Sequence, residues 1–208
     1  APALQGIGAR RRAVGLVIGF ALLLRLPALV LPVTHTDDIH RYLWDGAAQA
    51  AGQNPYAGSP ESPAFSELRH QHPEVYAHIN HRYLPTIYPP VAQSLFRLHA
   101  ALGKDPATFA AVRDWKILVG VIELLACAVL IVIAIKKHHD VRIAMVWTSS
   151  ALVAIEVYLN GHIEPLGVLL ALLAWLCLRR PAILAAGLGG GFLSAAILVK
   201  PVAVAIVP

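Results

Sequence analysis

Long apolar runs, most of them flanked by basic residues, decide what this chain can fold into. Ala13–Leu31 follows Arg10, Arg11 and Arg12. Trp115–Ile135 runs into Lys136, Lys137, His138 and His139. Val141–Leu159 comes next, then a polar break at Asn160-Gly161-His162-Ile163-Glu164, then Leu166–Leu178, closed by Arg179 and Arg180. A last run goes from about Ile183 to Pro208, interrupted by Lys200-Pro201. A helix of about 20 apolar residues crosses the hydrocarbon core of a bilayer. These runs therefore predict an all-α, polytopic transmembrane bundle forming a single domain over residues 1–208. Leu166–Leu178 is short for a crossing, so either its helix begins nearer Gly161 or the bilayer is locally thin. Composition agrees: 57% of residues are hydrophobic and 14% charged, where soluble domains carry roughly 25% charged residues. The net charge of +5 would raise nucleic-acid binding in a soluble protein. Here the basic residues sit beside apolar runs, so they set orientation in the membrane instead. Cys127 and Cys177 both lie inside apolar runs, which argues against a disulfide framework or a cysteine-based zinc site. Ala13–Leu31 lacks a convincing small-residue cleavage site and reads as an uncleaved first span rather than a signal peptide. A chain that opens without methionine and stops inside an apolar run is expected to be a piece of a longer protein.

Cytoplasmic loops are enriched in Lys and Arg. Arg10–Arg12, Lys136–Lys137 and Arg179–Arg180 are accordingly expected on the cytoplasmic side. An even number of crossings must then separate the first two clusters. Ile87–Leu102 is apolar enough to tempt a span assignment, yet counting it gives an odd number, and it holds Arg97 and His99. It is better read as a helix lying on or dipping into the outer surface. Residues 32–114 then form one extracytoplasmic loop carrying juxtamembrane helices. Asp37, Asp38, His162, Glu164 and Lys200 all fall at or near the outer face. Lys200 reaches it because 17 residues beyond Ile183 amount to roughly 25 Å of helix.

Thr36-Asp37-Asp38 directly follows the first span and opens a helical pattern in which Ile39, Leu43, Ala47 and Ala50 share a face. Thr36 or Asp37 fits the N-cap, and Gly52 fits the stop. Asp37, Arg41 and Asp45 are spaced four apart, as an ion-pair ladder requires. The aspartates admit two readings. One is capping and complementarity to the helix dipole. The other is a general base over a site at the membrane surface. Asn54-Pro55-Tyr56 reads as a turn. His70, His72, His78 and His81 are better explained as surface histidines than as metal ligands. Pro90 predicts a helix start, with Tyr88 at headgroup depth, where aromatic belts lie. Arg25 and Glu123 are charges at unfavourable depth on the same half of their spans, and are expected to pair. Lys200 either snorkels to the surface or binds a lipid phosphate.

Taken in order, Asp37-Asp38-Ile39-His40-Arg41-Tyr42-Leu43-Trp44-Asp45-Gly46, Asn54-Pro55-Tyr56, Tyr88-Pro89-Pro90-Val91-Ala92-Gln93, Gly161-His162-Ile163-Glu164 and Leu198-Val199-Lys200-Pro201 cover nearly the whole chain. The series resembles the integral-membrane glycosyltransferases of the C fold (GT-C), and among them the bacterial polyprenol-phosphate-mannose-dependent mannosyltransferases. The resemblance implies a sugar, mannose in that group, passing from a polyprenyl-phosphate donor to a hydroxyl of an extracytoplasmic glycan or glycolipid. It implies an aspartate base in the first outer loop, inversion at the anomeric carbon, and residence in the bacterial inner membrane. By position Asp37 or Asp38 takes the base role. Asp37 is the likelier cap, which favours Asp38. Lys200 and His162 fall to the donor phosphate, and Arg41 and Tyr88 complete the substrate-binding set. The turn reads His-Ile-Glu where His-Asn-Asp or similar belongs, which weighs against a role for Glu164. No cofactor is implied, and no nucleotide-binding glycine loop is visible. A transporter or lipid flippase is the rival class, because charges within spans and breaks at Pro27 and Pro201 fit one as well.

Overall fold

The computed structural model describes residues 2–33, 36–136, 145–148 and 150–201, and among them every regular element is helical. The inner loop expected over Lys137–Asp140 and the last run beyond Pro201 lie outside the described residues. A long first helix, α1 (Pro2–Val30), leads to α2 (Asp38–Ala50). The short helices α3 (Ser66–Gln71) and α4 (Pro73–Ala77) follow, then α5 (Pro90–Ala100). Next is α6 (Phe109–Lys136), which is by itself long and apolar enough to cross a membrane.

Of the apolar run from Val141 to Leu159, the described residues are not one helix. They appear as α7 (Met145–Thr148) and α8 (Ala151–Val153), with Ser150 extended between them. From Ala154 to Leu159 the helix widens into π-type turns, and the Asn160 N–H donates to the Ile155 carbonyl five residues back at 2.9 Å. The chain then turns by 116° into α9 (Glu164–Leu178), and α10 (Ile183–Ile197) packs against it. Helix α9 begins at Glu164 rather than nearer Gly161. Gly161 takes a left-handed φ of +73°, which ends one helix, and Pro165 stands in the first turn of the next, where a missing N–H costs nothing.

Residues 36–114, expected to form the extracytoplasmic loop, make a folded unit. Tyr42, Tyr88, Phe96 and Trp115 form its aromatic centre: Tyr42 stacks on Phe96 at 4.8 Å, and Tyr88 meets both edge-on at 5.0 and 5.5 Å. Burying each such ring contributes about 1.5–3 kcal/mol. Tyr88 is 7% exposed and lies inside this cluster. The apolar pattern of α2 underestimates its burial, because Tyr42, Trp44, Asp45 and Ala48 are buried beside Ile39 and Leu43. Gly46 permits this: a Cβ there would fall 2.7 Å from the Phe96 carbonyl oxygen, so only glycine lets α2 approach α5 so closely. Asp45, 1% exposed, accepts from Arg41 Nε at 3.0 Å, from Gln93 Nε2 at 2.7 Å and from the Thr86 hydroxyl. Burial pushes its carboxyl up, and Arg41, Thr86 and Gln93 hold it partly down. Only the Arg41–Asp45 rung of the expected ladder forms.

Arg25 and Glu123 pair as their depth required. Arg25 Nε and Nη2 donate to the two carboxylate oxygens at 3.0 and 2.7 Å, while Nη1 donates to the carbonyls of Ala21 and Thr148. Glu123 also accepts from Trp147 Nε1 at 2.6 Å and the Tyr158 hydroxyl at 2.8 Å. This network ties α1, α6, α7 and the π-type stretch together.

Candidate active site

Asp38 opens α2, and its backbone N–H donates to Thr36 Oγ1 at 3.1 Å. Asp37 occupies the N-cap position, but its side chain makes no capping hydrogen bond, so the cap expected of Asp37 is not formed. Thr36, two residues before Asp38, accepts locally in its place. Asp37 is exposed, whereas the Asp38 side chain is 41% exposed and looks across to the turn at residues 160–163.

That turn delivers His162. Gly161 must be glycine twice over: its φ is positive, and a Cβ would come within 3.0 Å of Ile39 and Trp115. Trp115 Nε1 clamps the Gly161 carbonyl at 2.7 Å, and Ile163 is fully buried. The His162 ring is thereby held between two carboxylates. Its Nδ1 lies 2.7 Å from Glu156 Oε2 and its Nε2 lies 3.7 Å from Asp38 Oδ2. An ionised Glu156 only accepts, so Nδ1 carries the hydrogen, and the opposite nitrogen is left to face Asp38. Nε2 has no hydrogen-bond partner among the described residues. Glu156 is the one charge between Ala151 and Leu159. An acidic residue inside an apolar run is a functional signal, yet it was not singled out in the sequence.

Lys200 follows α10 and pairs with Glu164, the first residue of α9. The Leu198 carbonyl accepts the Val91 N–H at 3.2 Å, which docks the end of α10 onto the start of α5. Glu164 therefore has a partner that its departure from the expected His-Asn-Asp pattern did not predict. An apolar groove of about 550 Å³ runs from this ion pair between α6, α9 and α10, past Gly167, Ala171 and Trp175 to Leu130 and Ile133. Gly167, Ala171 and Trp175 recur every four residues and so line one face of α9.

A second, smaller cavity of about 100 Å³ opens over Asp37, Asp38, Arg41, His81 and Tyr88. Arg41 borders it, although its Nε and Nη1 are taken by Asp45 and the Leu84 carbonyl. The Asn54-Pro55-Tyr56 turn braces this wall, since the Tyr56 hydroxyl donates to the Tyr88 carbonyl at 2.7 Å. Burial, then the Asp38 carboxylate, pushes the Tyr88 phenol up. Tyr42 packs behind this wall, against Tyr88. It is 1% exposed, its hydroxyl has no partner among the described residues, and burial together with Tyr88, Asp38 and Glu164 raises its phenol well above the ordinary range. Its place inside an apolar helical pattern concealed it.

The expected site residues therefore fall into two groups. Asp38, Arg41 and Tyr88 line the smaller cavity, with His162 3.7 Å from Asp38, and Lys200 with Glu164 heads an apolar groove. Asp37 stands at the rim of the first. The histidines of residues 36–114 do not converge: His40 stacks on His78 at 4.9 Å, His72 approaches Asp105, and His81 approaches Tyr83. Among the described residues no group of three His, Cys, Asp or Glu could hold a metal ion. The chain matches no known family model, no curated protein and no solved structure.

Proposed function

We propose that this protein is a multi-pass membrane glycosyltransferase of the GT-C kind, moving a sugar, mannose by resemblance, from a polyprenyl-phosphate donor to the hydroxyl of an extracytoplasmic glycan or glycolipid. The observation that carries this reading is the juxtaposition of Asp38 and His162 with an apolar groove headed by Lys200. A lipid chain fits the groove, and its phosphate lies at the ion pair. Lys200 exchanges Glu164 for the phosphate, as a charge-assisted contact allows. The acceptor hydroxyl enters over Asp38. Asp38 takes its proton while the oxygen attacks the anomeric carbon. The bond from that carbon to the phosphate oxygen breaks, and the electron pair leaves with the lipid phosphate. Lys200 stabilises the negative charge retained there. His162, anchored by Glu156, stands beside the Asp38 carboxylate at 3.7 Å. The transporter reading draws on the Arg25–Glu123 pair, but that pair is 1% and 0% exposed and saturated by hydrogen bonds, unlike a transport site that must release its cargo.

The test is transfer from radiolabelled polyprenyl-phosphate-mannose to an envelope glycan extract by the purified protein in lipid. Transfer is expected, and Lys200→Ala should lower kcat/KM for the donor about 10- to 100-fold, the worth of one hydrogen bond to a charged group, through KM for ground-state binding or through kcat where the contact strengthens in the transition state. Unchanged donor kinetics would reduce Lys200 to a snorkelling residue.

The reading also places residues 32–114 and the turn at 160–165 outside a bacterial inner membrane. In a background lacking Cys127 and Cys177, a cysteine at the exposed position Ser66 should react with an impermeant maleimide added to whole cells. Labelling only from the cytoplasmic side would overturn the orientation.

A further inference from the structure

Helix α2 carries a buried polar network that the mechanism above does not use. Asp45 is 1% exposed and accepts from Arg41 Nε at 3.0 Å, from Gln93 Nε2 at 2.7 Å and from the Thr86 hydroxyl. Arg41 Nη1 donates in turn to the Leu84 carbonyl at 3.1 Å. Well-packed apolar side chains often hold a core as well as a buried ion pair does, so stability alone does not account for this arrangement. What it produces is a fixed guanidinium. The group is planar, so holding Nε and Nη1 also sets the direction of Nη2. Nη2 has no hydrogen-bond partner among the described residues. Tyr42 Oη and His162 Nε2 also lack partners, but both are sealed from solvent, and Nη2 is not. The Arg41 side chain keeps 10% of its surface and lines the cavity of about 100 Å³ beside Asp38. Residues three apart on a helix are neighbours, with about 5–6 Å between their Cβ atoms. Asp38 and Arg41 thus present an acceptor and a donor side by side.

The chemistry of an occupant follows from this pair. Asp37 and Asp38 both line the cavity, while Asp45 balances the charge of Arg41. The excess negative charge turns away a phosphate or a carboxylate, and the guanidinium turns away an ammonium. A neutral group remains, one that accepts at Arg41 and donates at Asp38. Two adjacent hydroxyls do both. Space sets the scale: a water takes about 30 Å³, so this cavity admits the edge of a ring and not a whole sugar. Pro85 and Ile87 offer apolar surface to the C–H bonds of that edge.

We propose that Arg41 determines acceptor specificity by holding a vicinal diol: Nη2 donates to one oxygen, and the neighbouring hydroxyl donates to Asp38 and reacts. That the diol is a sugar's, and the acceptor's, rests on the glycosyltransferase reading; the matched donor and acceptor do not. Removing Arg41 alone would strand Asp45. The test variant is therefore Arg41→Met with Asp45→Asn, which removes both charges together and keeps the Gln93–Thr86 hydrogen bond of 3.0 Å. The probes are methyl α-D-mannopyranoside and its monodeoxy analogues. Each is measured for binding to the whole protein in lipid nanodiscs by saturation-transfer NMR, and as an acceptor in the transfer assay. In the unaltered protein, the analogue lacking the oxygen held by Arg41 should bind about 10- to 100-fold more weakly than the parent, with kcat/KM lowered as much. In the double variant the two should bind alike. This ratio is taken within one protein, so a general loss of stability does not move it. No binding of the parent sugar, or the same discrimination in both proteins, would overturn the proposal. Discrimination that responds to the double variant only when the missing hydroxyl is on the donor sugar would overturn the assignment to the acceptor. Arg41-dependent binding by a protein that transfers no sugar would keep the diol site and defeat the enzyme reading. Transfer with discrimination untouched by the double variant would defeat the diol site alone.

Discussion

Asp38→Asn should lower the transfer rate by on the order of 10²–10⁴-fold, the usual contribution of a positioned general base, with expression and unfolding temperature unchanged. Asparagine keeps the shape of the side chain and its reach towards His162, but it cannot accept a proton at neutral pH. Asp37→Asn should keep most of the activity. Asp37 is exposed, makes no capping bond and lies only at the rim of the cavity, and asparagine replaces aspartate at a helix start with little loss. The comparison separates catalysis from capping: a carboxylate needed only for the helix dipole would make both variants mildly and similarly impaired. Full activity in both would remove general-base catalysis from this motif.

The largest expected effect on stability lies at Glu123. Removing one member of a buried pair costs about 3–5 kcal/mol, because the other charge is left buried and alone. Glu123→Ala strands the Arg25 guanidinium, 1% exposed, and also the Trp147 and Tyr158 donors that converge on the carboxylate. A large fall in the unfolding midpoint in detergent is expected. The double variant Arg25→Leu with Glu123→Leu should recover much of it, since well-packed apolar residues often replace a buried ion pair at little cost. Sugar transfer should persist in the double variant, because the pair touches neither cavity of the active site. A Glu123→Ala protein with an unchanged midpoint would mean that the network contributes nothing to holding α1 against α6.

The difference between these two sites is one of legibility. The Arg25–Glu123 pair was readable because a charge within an apolar run has few alternatives to a partner at the same depth. The Asp38 motif was readable as a helix start but not as a geometry. Whether Asp37 or Asp38 faces the turn at 160–163 depends on how α2 enters the fold, and that is set by Gly46 against Phe96 and by the aromatic cluster around Tyr42. Glu156 and Tyr42 went unnoticed for related reasons. One lies in a helix widened to π-type turns, which shifts side-chain directions from the ordinary period. The other supplies a ring to the core and only its hydroxyl to the site.

By itself the sequence determined the elements whose signals are local: helical character throughout the described residues, the start of α5 at Pro90, the end of α2 before Gly52, and the apolar length of α6. Caps, prolines, glycines and hydrophobic length act over a turn or two, so they are written where they act. Tertiary structure decided what depends on which helices meet. It packed Tyr88 into the aromatic cluster around Tyr42, and it set an extended residue, Ser150, ahead of α8. It also paired Lys200 with Glu164 and set His162 between Glu156 and Asp38. The physical reason is that an apolar residue carries the same transfer preference towards lipid and towards protein. Patterning therefore shows that a side chain leaves water, and only packing shows what it meets.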